Sequence, residues 1–201
     1  MLHKLAATFA ALALATAAHA DTVVFDGSGF DSGDVITEHG FITPPFASPS
    51  SAGFVAFTLT GYDSLDGQNF HEDDFTLSVN GVGVLVGTFN LGGGGANALY
   101  LSPAGTLVSG YNADPDSITR SGGVLTFVVP VKLLAADNEI LFSYEALPAP
   151  DHAGPQGIGD EGWGLSKITV TAVPVTEPAS LALMLAGLGI VGALARRRTR
   201  V

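Results

Sequence analysis

The 201-residue sequence predicts an all-β domain, a jelly-roll-like β-sandwich, flanked by an N-terminal signal-peptide helix and a C-terminal transmembrane helix. Three observations predict it. The middle of the chain has no long apolar run with helical period; short stretches rich in Val, Phe, Thr and Leu recur between Gly, Asn, Asp and Pro. The first 20 residues join Lys4 to an apolar stretch, Leu5–Ala18, and a small-x-small site at Ala18-His19-Ala20. The last segment carries no charge from Ala179 to Ala195 and then ends in Arg196, Arg197, Arg198 and Arg200. The expected division is therefore a signal peptide over 1–20, a β-sandwich over 21–174 and a C-terminal segment over 175–201.

In chain order, Thr22–Phe25 is the first expected strand. Asp26–Ser51 is rich in Gly, Pro, Ser and Asp, and Pro44-Pro45 withholds two ladder donors, so irregular structure is expected there. Phe54–Thr60 is a strand whose Val55, Phe57 and Leu59 share one face. Phe75–Val79 and Val82–Phe89 flank Asn80-Gly81, a pair suited to positive φ at both central positions, and so predict a tight type I′ hairpin. The glycines at 92–95 break the pattern and read as a flexible or bulged connection before a short strand at Ala98–Leu101. Val124–Val131 and Glu139–Tyr144 follow, joined by Lys132–Asn138, which is too short for a stable helix. Gly164–Val173 closes the domain with an imperfect alternation of Leu165, Ile168, Val170 and Ala172. Seven or eight strands at this spacing fit a sandwich.

As a helix, the 17 residues from Ala179 to Ala195 would extend roughly 26 Å, a little short of a ~30 Å hydrocarbon core. The arginines close that gap by snorkelling and mark their end as cytoplasmic, placing residues 21–174 on the other side. Those residues hold 18 Asp plus Glu against Arg120, Lys132 and Lys167, a net charge near −15. Such a surface excludes the basic footprint that nucleic acid needs. With no cysteine in the chain, disulfides, thiol catalysis and cysteine–zinc sites are excluded too.

The densest polar cluster is Asp63, Asp66, Glu72, Asp73 and Asp74, with Asn69 and His71 among them. Asp63, Asp66, Asp73 and Asp74 are the candidate Ca²⁺ ligands, since hard cations take six to eight oxygens and one carboxylate-rich loop can donate many. Asp160 and Glu161 could complete such a site, although the spacing is not that of an EF-hand. Trp163, between two glycines, is a candidate platform for a sugar ring; its alternative use is a core anchor at the start of the last strand. No nucleophile elbow, zinc-helix motif or phosphate-binding loop is present, and nothing selects a carboxylate pair for glycoside hydrolysis, so no catalytic residue is expected.

An acidic-proline motif, an apolar helix and a terminal arginine cluster, in that order, resemble the PEP-CTERM sorting signal. The recognition elements are Thr176, Glu177, Pro178, Arg196, Arg197 and Arg198, with Thr176 standing where the family's usual motif has its first proline. The resemblance implies a Gram-negative host, export across the cytoplasmic membrane, an inner-membrane-anchored precursor and an exosortase-like membrane protease as partner. It also implies cleavage near Glu177-Pro178 and transfer towards the cell surface or matrix. Asp73–Gly81, Asn138–Tyr144 and Glu161–Leu165 resemble parts of galactose-binding-type jelly rolls, although Ser166-Lys167 follow Leu165 where that pattern often has Asp or Asn. The expected function is an exported, non-enzymatic surface or matrix protein associated with exopolysaccharide. The alternative is a carbohydrate-binding module, calcium-assisted, that recognises extracellular polysaccharide.

Overall fold

A computed structural model describes residues 20–33, 40–62, 65–111, 123–145, 162–174 and 187–190. Ten strands form among them: β1 (Thr22–Asp31), β2 (Phe41–Ile42), β3 (Ala52–Gly61), β4 (Asp74–Val79), β5 (Val82–Thr88), β6 (Ala98–Leu101), β7 (Leu107–Tyr111), β8 (Val124–Lys132), β9 (Ile140–Glu145) and β10 (Trp163–Val173). They make two five-stranded antiparallel sheets, β1-β10-β3-β8-β7 and β2-β9-β4-β5-β6. The only described helical residues are 187–190, and no described helix is long and apolar enough to cross a membrane. The rest of the expected span at 179–195 lies outside the described residues, as does residue 18 of the signal-peptide site; Ala20 is exposed at the edge of the description.

The period-2 pattern makes the core. Val55, Phe57 and Leu59 of β3 point inward, as do Phe75, Leu77 and Val79 of β4. Phe57 stacks on Phe127 of its own sheet at 4.8 Å and meets Phe142 of the other sheet edge-on at 5.0 Å. Phe75 and Phe89 close the cluster from the second sheet. Each fully buried phenylalanine contributes on the order of 1.5–3 kcal/mol relative to exposure.

Asn80 and Gly81 take φ of 53° and 75°, and Val79 pairs with Val82, so the hairpin forms with the two-residue turn its dipeptide favours. The imperfect alternation of β10 also has a cause. Lys167 sits at φ 56°, and between Ser166 and Thr169 the strand advances three residues against two on β3. This bulge switches the inward parity, so Leu165 before it and Ile168, Val170 and Ala172 after it all face the core.

Three expectations need correcting. β1 runs on to Asp31, because Gly27 and its neighbours continue pairing with β10 through irregular register instead of leaving the sheet. Phe41–Ile42 forms a short strand against β9 inside the stretch expected to be irregular. Leu107–Tyr111 is a strand on β8, where the sequence reading places none between Ala98–Leu101 and Val124–Val131.

The pairing fixes where the chain enters and leaves. Thr22 pairs with Ala172, and Val173 with Ala52, so β1 begins and β10 ends at one end of the sheets. Ala52 pairs in turn with Lys132, which leads into the segment ending at Asn138. The loops 65–73 and 89–97 lie at the opposite, far end, where Asp74 and Thr88 pair.

Candidate functional site

The far end is built by two loops that brace each other. The loop before β4 runs from Leu65 to Asp73, and its Asp66 and Gln68 bridge Gly94 and Ala96 of the glycine loop. The buried side chain of Asn90 accepts hydrogen bonds from the Gly92 and Gly94 amides, both at 3.1 Å, while Gly93 donates to the Leu65 carbonyl at 2.9 Å. The glycines expected to be flexible are thus held by a specific set of bonds. Gly95 has φ +80°, and a Cβ there would lie 2.7 Å from the Gly67 carbonyl carbon, so glycine is required by conformation and by space.

Within this frame the acidic residues turn inward. Asp66, Glu72, Asp73 and Asp74 are all buried. The Asp66 amide donates to Asp73 Oδ2 at 3.0 Å, Asn69 Nδ2 to Asp66 Oδ1 at 2.5 Å, and the Thr88 hydroxyl to the Asp66 carbonyl at 3.0 Å. Buried carboxylates are costly unless hydrogen-bonded, and these bonds are how the loop meets that cost. Among the described residues no three His, Asp or Glu side chains are placed to hold a metal ion together. Asp63, the fourth candidate calcium ligand, and residues 160–161 lie outside the described residues. Asp66 and Asp73 accept hydrogen bonds within the braced loop, and Asp74 opens β4.

Trp163 is fully buried, with its ring 5.3 Å from Tyr144 and 5.8 Å edge-on from Phe41. That is the environment of a core anchor; stacking on a sugar needs an accessible face.

Aromatic surface at the far end comes from elsewhere. Phe70 is 64% exposed with His71 edge-on at 5.0 Å, and Tyr100 of β6 is 43% exposed. The Tyr100 hydroxyl donates to Glu72 Oε1 and lies 3.5 Å from Gln68 Nε2. Burial first, then the bond to Glu72 and the nearby Glu72 and Asp74 charges, push the phenol well above its usual value of 10.0. The arrangement places exposed rings beside hydrogen-bonding groups. His71 is the one described imidazole, and its buried Nδ1 has no hydrogen-bond partner among the described residues.

Sequence reading missed Phe70, Gln68 and Tyr100. Phe70 carried a signal, because a lone aromatic inside Asp66–Asp74 has no strand in which to hide. Tyr100 carried none, since its contact to Glu72 spans 28 residues.

Residues 174–198 match the PEP-CTERM protein-sorting motif. No curated protein matches the chain. The motif begins directly after Val173, the last residue of β10, and marks an exported precursor that is anchored in the membrane and processed by exosortase, a membrane protein.

Proposed function

We propose that this is a non-enzymatic protein of the cell surface or extracellular matrix, held at the membrane through its C-terminal segment until exosortase cuts near Glu177-Pro178. The observation that carries this reading is the sorting motif at 174–198, joined to β10 without a spacer domain. Leu188 and Ile190, exposed in the described turn at 187–190, suit side chains whose partner is lipid. The strand order supports reading the fold as a jelly-roll sandwich: without β6 and β7, eight strands remain, four per sheet, with the first strand beside the last. Because β1 begins and β10 ends at the same end, the anchored domain turns its far end, with Phe70 and Tyr100, away from the membrane.

The test is the mass of the C-terminus in protein recovered from the host's outer fractions. A chain ending near Glu177 supports the reading. A chain still ending at Val201 in those fractions overturns processing. Replacing Arg196, Arg197 and Arg198 by serine is expected to impair orientation of the precursor, read with a topology reporter.

A second reading, binding of extracellular polysaccharide, is favoured by one observation: exposed Phe70 and Tyr100 beside Gln68 and Glu72. A glycan array with and without EDTA tests it together with calcium assistance. Phe70→Ala should abolish any signal that depends on this patch, whereas Trp163 should not respond to sugar.

A further inference from the structure

The sorting segment leaves the sandwich at its near end. β10 stops at Val173, which pairs with Ala52 and whose carbonyl accepts the Ser50 hydroxyl. Five residues, Pro174–Pro178, then separate Val173 from the uncharged run that starts at Ala179. Fully extended, the six Cα steps from Val173 to Ala179 span at most about 22 Å. The headgroup layer on one side of a bilayer takes roughly 5–8 Å of that. A five-stranded sheet is itself about 19 Å across. With about 15 Å of slack, less than its own width, the near end meets the membrane surface on modest tilting.

The connections at 43–51, 80–81 and 133–136 close this end. They are joined by the Phe46–Asn138 bridge, by the Ser48 amide on the Ala135 carbonyl and by the Asn80 amide on the Glu139 carbonyl. None of the three contains Asp, Glu, Lys, Arg or His, in a chain of net charge −11. Leu134 is 54% exposed and Val82, next to the hairpin turn, 64%; Pro44, Pro45 and Ala135 are also at the surface. The described charged residues here, Asp21, Lys132, Asp137 and Glu139, flank these connections. At the far end, one loop and the first residue of β4 carry Asp66, Glu72, Asp73 and Asp74.

We propose, resting on the anchored reading given above, that in the precursor this near end lies on the lipid surface, with Leu134 and Val82 entering the headgroup layer. The tether selects the occupant, because the strand that ends here is joined within five residues to the segment that holds the chain in the membrane. The apolar side chains gain by leaving water for the boundary between headgroups and acyl chains. The three connections carry no ionised side chain that would have to be dehydrated on contact. Lys132, exposed beside them, can meet lipid phosphate while its stem covers apolar surface.

The experiment inserts the full chain into vesicles of phosphatidylethanolamine and phosphatidylglycerol. Because the chain has no cysteine, Leu134→Cys, Val82→Cys and Phe70→Cys each give a single site for a fluorescent label. Phe70 is as exposed as Val82 but lies at the far end. Quenching by spin-labelled lipid should be about twofold or more stronger at 134 and 82 than at 70. Adding Leu134→Asp should remove that excess at 82. Vesicles that carry the chain on flotation, but quench the near-end labels no more than the label at 70, overturn the inference and leave the anchored reading standing. A chain that does not float with the vesicles overturns both. Quenching found only in host membranes that contain exosortase overturns lipid as the occupant and assigns this surface to the protease.

Discussion

The two ends of the sandwich solve the same problem with different materials. Each must satisfy the backbone where strands stop, and each uses a fully buried asparagine. At the near end, Asn138 Nδ2 donates to the carbonyls of Phe46 (3.1 Å) and Leu134 (2.7 Å), and its Oδ1 accepts from the Leu134 amide and Asn80 Nδ2. These bonds tie together three stretches, at Phe46, at Asn80 and at 134–139, and Asn80 Oδ1 adds a further tie by accepting the Glu139 amide. Ser50 adds a bond to the carbonyl of Val173, where the chain departs for the sorting segment. At the far end the Asn90 side chain accepts the Gly92 and Gly94 amides of its own glycine loop, and the neighbouring groups are carboxylates. The near end is a structural knot that joins both sheets close to the anchor. The far end is held by backbone bonds of the glycine loop to Leu65 and Gly123, and it carries the exposed aromatics Phe70 and Tyr100.

The largest expected effect follows from the knot. Asn138→Ala removes a fully buried side chain and its four hydrogen bonds, to Phe46, Leu134 and Asn80, and should cost about 2–3 kcal/mol of global stability in chemical denaturation. Next comes Gly95→Ala, which forces a Cβ against Gly67 at a positive φ and should cost about 2 kcal/mol. Its damage should be local, with faster amide exchange at 65–68 and 90–97 while the β3 and β8 amides keep their protection. Asn90→Ala should cost about 1–2 kcal/mol, again with exchange rising only at the far end. If Asn90→Ala and Asn138→Ala expose the same amides, the contrast between the ends is wrong.

The sequence was legible where local chemistry decides the outcome. Asn80-Gly81 dictates its turn, and the inward faces of β3 and β4 follow from alternation alone. It was misleading where pairing overrides composition. Gly27-Ser28-Gly29 reads as loop, yet the long β10, bulge included, offers a ladder that keeps those residues in β1. Gly110 hides β7 in the same way; its φ is 134°, and a Cβ there would lie 2.3 Å from the Val124 carbonyl. The glycines at 92–95 look loose until Asn90 and Leu65 are placed beside them. At the far end the carboxylate cluster was visible, but its inward orientation was not, because burial of Asp73 depends on donors supplied by the folded loop. Trp163 was ambiguous for a similar reason: glycine neighbours suggest exposure, while Phe41 and Tyr144, distant in sequence, cover the ring.

The smallest expected effect probes the chemistry of the far end. Tyr100→Phe removes the hydroxyl bond to Glu72 and should cost less than about 1 kcal/mol, since the ring stays and is partly exposed. Its pH dependence has a definite sign. The folded phenol is held protonated above its usual 10.0 by burial, by Glu72 and by the Asp74 charge. The stability it contributes is therefore fully present below pH 10 and lost as pH rises through the higher folded value. Absorbance titration of the folded wild type should show a phenolate step above the ordinary range that is missing in Tyr100→Phe. A step of unchanged position in the variant would mean that Tyr100 ionises as a solvent-exposed tyrosine and that Glu72 does not hold it. The acidic far end would then be a collection of separate loop carboxylates, without the ordered aromatic face that distinguishes it from the end at Asn138.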